Sequence, residues 1–182
     1  MKRVFLVLTL AAAAGLSAQA ATAQAAPAST VAPPHDPALG VPVFVLSASG
    51  DRDDLADLRK HLYLAEKSHL LHIYTLDEAP LGAAQALGAA RIEQAKVLVP
   101  LVSPKLFTEH DGLLDRMLAA YDAGGRLVPV LLRDTDLTYS RLRELVALPR
   151  ERGPIARWAD RDAAFTHVAI ELRKLCESLR KP

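Results

Sequence analysis

The sequence predicts an α/β fold: a flavodoxin-like three-layer arrangement with a five-stranded parallel sheet of order 2-1-3-4-5. Three observations predict it. From Val41 onward, short apolar runs alternate with segments of helical period, the pattern of βαβ units. The runs VPVFVL and KVLVPLV are almost continuously apolar, as strands covered on both faces are. Right-handed crossovers between five such strands give the doubly wound order.

Each element follows from its own residues. VPVFVLSAS is a β-branched run ending in small polar residues, the first strand. In GDRDDLADLRKHLYLAEK, Leu55, Leu58, Leu62 and Ala65 share one helical face, and aspartates fill the first turn, where the helix dipole favours them. LLHIYTL is the second strand. DEAPLG is a loop broken by Pro80 and Gly82. Ala83 to Gln94 reads as a helix despite Gly88. KVLVPLVS is the third strand. A helix carrying Leu114, Met117, Leu118 and Tyr121 on one side separates it from a fourth, RLVPVLLRD (Arg126 to Asp134). Asp136 to Leu148 holds a loop and a short helix. GPIARW is expected as a fifth, edge strand, where Pro154 is tolerated. Phe165, Val168, Ala169, Leu172, Leu175, Cys176 and Leu179 define the last helix, and Trp158 is expected to pack against it.

The N-terminus has a different character. Lys2 and Arg3 precede an apolar stretch from Val4 to Leu16, and Ala18-Gln19-Ala20 and Ala23-Gln24-Ala25 read as cleavage sites. Residues 1–25 are therefore expected to be a secretory signal peptide. Export to the periplasm or exterior follows, or a cytoplasmic location if the start codon is misassigned. The stretch is short for a membrane span, so none is expected after its removal. Residues 26–40, rich in Pro and Ala, read as a linker. Residues 41–182 form the domain.

Charge and motif content exclude several function classes. The 182 residues carry 22 basic and 21 acidic side chains, so no basic excess points to nucleic acid. The single cysteine, Cys176, forms no internal disulfide and reads as a buried small hydrophobe. No GxGxxG or P-loop follows a strand. A phospho-receiver aspartate is missing from the end of strand 3, where Val102-Ser103-Pro104 stands. His69 and His72 have the spacing of a metal pair but no second pair beside them, so no metal site is expected.

Ligands in such sheets bind beyond the carboxyl ends of the strands, at the switch point between strands 1 and 3. That rule selects Ser47 to Asp53, Tyr74 to Gly82 and Ser103 to Asp115. Ser47, Ser49, Asp51 and Ser103 are the candidate ligand-binding residues. The first three equally suit capping of the first helix. In SPKLFTEHDGLLDRML, Glu109, Asp111 and Asp115 raise the question of a catalytic acid. Thr108-Glu109-His110-Asp111 also fits a capping box, which explains the acids without chemistry.

From Val41 to its end, the chain resembles the TIR (Toll/interleukin-1 receptor) domain, bacterial type. FVLSASGDRDDLADLRKHL is similar to the family's first box. YTLDEAPLG resembles its BB loop, KVLVPLVSP its third strand with a Ser-Pro ending, and RLVPVLLRDTDL and LPRERGPIARWADRDAAF its later segments. The resemblance implies either of two functions. One is a signalling module that associates with TIR domains or itself, with Asp77, Glu78, Pro80 and Gly82 as the interaction loop. The other is NAD+ hydrolysis at the nicotinamide–ribose bond, with NAD+ as substrate and no cofactor. A carboxylate on the helix after strand 3 would then stabilise an oxocarbenium-like state. The family places a Glu there after an aromatic and a Cys. That aromatic and Cys are missing from this segment, and its register offers Asp115, with Glu109 too early. A third reading is a non-catalytic nucleotide- or ligand-binding domain. An export signal sits awkwardly with either TIR role, since NAD+ is mainly intracellular.

Overall fold

The structure, a computed structural model, describes residues 32–80, 82–150 and 153–180. The expected signal peptide lies outside the described residues. Strands β1 (Val41–Leu46), β2 (Leu71–Tyr74), β3 (Val97–Val102), β4 (Arg126–Leu127) and β5 (Val130–Leu131) form one parallel sheet. The order is β2-β1-β3, with β4 and β5 both pairing to the far edge of β3. Helices α1 (Arg52–Lys67), α2 (Ala84–Gln94), α3 (Pro104–Asp122) and α4 (Arg161–Arg180) flank it. The α/β, flavodoxin-like class is as the sequence predicts.

Strand alternation divides the apolar residues between two cores. Val41, Val43 and Val45 point with Ile73, Val97, Val99 and Leu101 toward α1 and α4. Phe44, Leu46, Leu98 and Val102 point toward α2 and α3. Every residue of β1 and β3 is buried, which is why those runs lack polar alternation. Gly88, an unfavourable helix residue, sits where α2 and α3 pack closely. A Cβ at this position would come within 2.7 Å of Leu113 Cδ1, so glycine is what lets α2 approach α3.

Three regions differ in detail from the expectation. The predicted fourth strand is divided into β4 and β5. Leu98 faces Leu127 and Leu101 faces Val130, so Pro100 and Pro129 lie at the same level. Neither proline has an N–H to donate, and the ladder breaks between them. The predicted fifth strand, GPIARW, is instead a 3-10 turn over Ile155–Arg157 following Pro154. Its Ala156 N–H donates to Leu132 O at 2.9 Å, while Leu148 makes the lone parallel bridge to Val130. Trp158 packs against the α1–α4 core, and its Nε1 donates to Gly153 O at 3.3 Å.

Residues 32–40, assigned to the linker by composition, lie against the domain. Arg91 donates to Pro33 O at 3.2 Å and stacks 3.8 Å over the Tyr74 ring. His35 bridges Tyr74 Oη at 2.9 Å and Gly40 O at 2.7 Å, and Ala32 is buried.

Candidate functional site

The site forms where β1 and β3 diverge, as the switch-point rule requires. A cleft of ≈ 580 Å³ opens there, lined by Ser47, Ser49, Arg52, Asp77, Glu109 and His110 among others. This volume suits a nucleotide-sized ligand. The loop after β1 brings in the serines, the turn after β2 brings Asp77, and α3 brings Glu109 and His110.

Of the three acids singled out on α3, Glu109 is the one that lines this cleft. Its Oε2 accepts the Ser49 N–H at 2.7 Å, and its Oε1 accepts the Ser49 hydroxyl at 2.8 Å. Lys105 Nζ lies 3.2 Å from Oε1 and donates to Ser49 Oγ at 2.9 Å. The Ser49 N–H, then its hydroxyl, then Lys105 hold the Glu109 carboxyl down at about 2. The capping-box expectation is corrected by these contacts. Helix α3 starts at Pro104, so residues 108–111 lie inside it, at a kink where His110 adopts φ −134° and ψ 27°. Glu109 does cap a helical start, but that of the Ser49–Asp51 turn leading into α1.

Asp115, which the family register offers, is exposed on α3 and does not line the cleft. Leu113, Leu114 and Met117 turn inward around it. Asp111 is exposed as well.

Asp51 and Ser103 are beneath the cleft. Both are buried, and the Ser103 hydroxyl donates to Asp51 Oδ2 at 2.5 Å. Arg133 pairs with Asp51 and also with Asp54, whose Oδ2 is 3.0 Å away. Arg161 closes the network at 2.6 Å from Asp54 Oδ1. The loop after β1, the end of β3, the segment after β5 and the start of α4 are thus fastened together by two buried carboxylates and two arginines. Sequence reasoning missed Asp54, Arg133 and Arg161. Their signal was local: an acid on the core side of the first turn of α1, and arginines just beyond a strand and at a helix start.

The predicted interaction loop stands on the cleft rim. Asp77, Glu78, Pro80 and Gly82 are all exposed. Leu76–Glu78 forms a 3-10 turn, Arg52 lies 3.8 Å from Asp77, and Gly82 takes φ +78°, which favours glycine. His110 lines the cleft, and its Nδ1 has no hydrogen-bond partner among the described residues. His69 and His72 gather no metal ligands: no group of three or more His, Cys, Asp or Glu that could hold a metal is found among the described residues. Cys176 is buried, and burial pushes its thiol up to about 11. No helix of the described residues is long and apolar enough to cross a membrane. A second cavity of ≈ 320 Å³ runs along β4, lined by Leu127, Val146, Leu148 and Leu172 among others, and shares no lining residue with the cleft.

No protein-family model matches the chain. No solved structure matches it either. The chain is 27% identical over 139 residues to the uncharacterized protein y4lF of Sinorhizobium fredii (strain NBRC 101917 / NGR234). That alignment covers 72% of this chain and 42% of the relative's length, so the chain spans less than half of the protein it is similar to.

Proposed function

We propose that the protein is a TIR-like interaction module that associates with other TIR domains or itself through the loop at 75–82. The observation that carries this reading is the contrast between the rim and the interior of the cleft. The rim offers Glu78 and Pro80 exposed, and Asp77 exposed with only a loose 3.8 Å pairing to Arg52. The inward carboxylates already have partners: Glu109 is held by Ser49 and Lys105, and Asp51 by Ser103 and Arg133. Groups so engaged suit scaffolding better than attack on a substrate. The test is association with TIR-domain partners, measured for wild type, Pro80→His and a Asp77→Lys/Glu78→Lys double variant. Loss of binding in the loop variants is the expected result. Binding that ignores all three substitutions removes the loop from the interface.

One observation favours the hydrolase alternative: Glu109 is ionised and borders a cleft large enough for NAD+ as substrate. Nicotinamide release from NAD+, abolished by Glu109→Gln and retained in Asp115→Ala, supports it. No release from concentrated protein refutes it.

A further inference from the structure

The sheet edge beyond β4 is unfinished. The strand-like run GPIARW forms the 3-10 turn Ile155–Arg157 and does not cover it. The chain over 144–148 covers it only in part. Leu148 donates its N–H to Pro129 O and accepts the Leu131 N–H, both at 2.8 Å, and bridges Val130 alone. Among the described residues β4 therefore pairs only with β3, and the ≈ 320 Å³ cavity is the gap left beside it. The Val128 N–H donates to Leu98 O at 2.9 Å. Main-chain groups alternate sides along a strand, so Leu127 turns its own N–H and C=O toward the gap.

The walls of the gap decide what fits it. Leu148 and Leu172 are buried, Leu175 is half-buried, and together they form an apolar side. Four charged side chains stand around the mouth. Two are engaged: Arg150 and Glu171 lie 3.6 Å apart, and Lys174 Nζ is 2.9 Å from Glu171. Arg126 gives one N–H to Gly124 O at 3.2 Å and has no carboxylate within ion-pair reach among the described residues. Glu144 has Arg141 nearby, but Asp122 already holds that guanidinium through bonds of 2.9 and 2.7 Å. One cation, one anion and the main-chain pair of Leu127 thus border an apolar wall.

The geometry points to a binding site for one free apolar L-α-amino acid, of the leucine, methionine or phenylalanine kind. Its carboxylate accepts from the Leu127 N–H and from Arg126. Its ammonium donates to the Leu127 C=O and faces Glu144. Its side chain lies on Leu148, Leu172 and Leu175. Volume favours this occupant: the gap is at the small end of ligand pockets, and at ~30 Å³ per water-sized atom it holds about ten non-hydrogen atoms. That is one such amino acid and too little for a nucleotide. A polyanion would meet Glu144 and Glu171, and a simple alkyl acid would leave Glu144 and the Leu127 C=O unused. The two charged groups are exposed, so binding is modest, with a dissociation constant on the order of 0.1 mM.

This edge is opposite β2, which leads into the loop at 75–82, so the site stands or falls independently of the proposed interaction loop. Calorimetric titration of the purified chain with L-leucine, L-methionine and L-phenylalanine measures affinity, and amide NMR spectra locate the ligand. Saturable binding with the Leu127 amide among the most shifted is expected. Isocaproate, isoamylamine and N-acetyl-leucinamide, each lacking a charge, should bind at least ~10-fold more weakly. Arg126→Gln and Glu144→Gln should each weaken leucine binding ~5-fold. Leu175→Trp, which fills the gap, should weaken it at least ~10-fold. Thermal melts show which variants fold; if Leu175→Trp does not, Arg126→Gln and the amide map decide the location. Absence of binding by all three amino acids overturns the inference. Isocaproate or isoamylamine binding as tightly as leucine overturns the zwitterion assignment. Equal binding of N-acetyl-leucinamide makes the edge a peptide site and overturns the free amino acid. Binding that ignores the folded variants and shifts amides elsewhere overturns the location.

Discussion

Replacing Arg133 with alanine removes the cation that joins Asp51 to Asp54. Asp51 and Asp54 are 2% and 4% exposed, so in the folded protein their charges are met by side chains. Each acid keeps one partner in the variant: Ser103 for Asp51 and Arg161 for Asp54. Removing one member of a buried ion pair typically costs about 3–5 kcal/mol, because the remaining charge stays buried. The Arg133 side chain is 44% exposed, which lets solvent soften the loss. We therefore expect a destabilisation of about 2–3 kcal/mol. For a chain of this size that lowers the melting temperature by roughly 5–10 °C. Urea unfolding of wild type and Arg133→Ala followed by circular dichroism measures it directly. Arg161→Ala in the same background should cost less than twice as much again, since the two arginines share Asp54. A change in Arg133→Ala below about 0.5 kcal/mol, the range of ordinary surface substitutions, would refute the claim that this network fastens the base of the cleft.

The remaining predictions test single contacts. Glu109 has its carboxyl lowered to about 2 from the ordinary 4.5, so its stabilising contribution is complete above pH 4.5 and fades as pH falls toward 2. An NMR titration should show the Ser49 amide shifting with a midpoint near 2, and Glu109→Gln should abolish that transition. Gly88→Ala adds a methyl 2.7 Å from Leu113, and the strain outweighs the gain in helix propensity. A net loss of about 1–2 kcal/mol in urea unfolding is expected. Cys176, its thiol raised to about 11 by burial, should resist a disulfide reagent at pH 8 in the native protein and react at once in denaturant.

Elements governed by period and burial were legible in the sequence. The alternation of Val41–Leu46 with a helix carrying Leu55, Leu58 and Leu62 predicts both elements, because apolar spacing reports which side of each is covered. What escaped the sequence depends on distant pairings. GPIARW has the composition of a strand, but Leu148 already bridges to Val130, and Ala156 reaches the fold through one bond to Leu132 O. Pro100 and Pro129 are 29 positions apart, and only register shows that they share a level. The linker composition of residues 32–40 says nothing of Arg91 and Tyr74, which receive it. At the site, the cleft's location was legible from topology. The roles within it were not: Ser49 and Glu109 are 60 residues apart, and Asp51 meets Arg133 across 82.

Three carboxylates on one helix illustrate why position in sequence is a weak guide to position in a site. Glu109 and Asp115 are six residues apart, which on an α-helix is a rotation of about 120° away from a shared face. One therefore faces the cleft only if the other does not. Register against the TIR pattern points to Asp115, while packing of Leu113, Leu114 and Met117 turns that residue outward. The kink at His110 lies between the two acids, and it is on its N-terminal side that Glu109 reaches Ser49. The acid that lines the cleft stands nearly two helical turns N-terminal of the position the TIR resemblance offers. Lys105 and Ser49 hold its oxygens. Such a carboxylate is already bound by three donors, so a substrate ribose would have to compete with Ser49 and Lys105 for the same oxygens. That competition is the physical argument for the proposed partner-binding loop over catalysis in the cleft, and it is why Glu109→Gln tests the hydrolase alternative where Asp115→Ala does not.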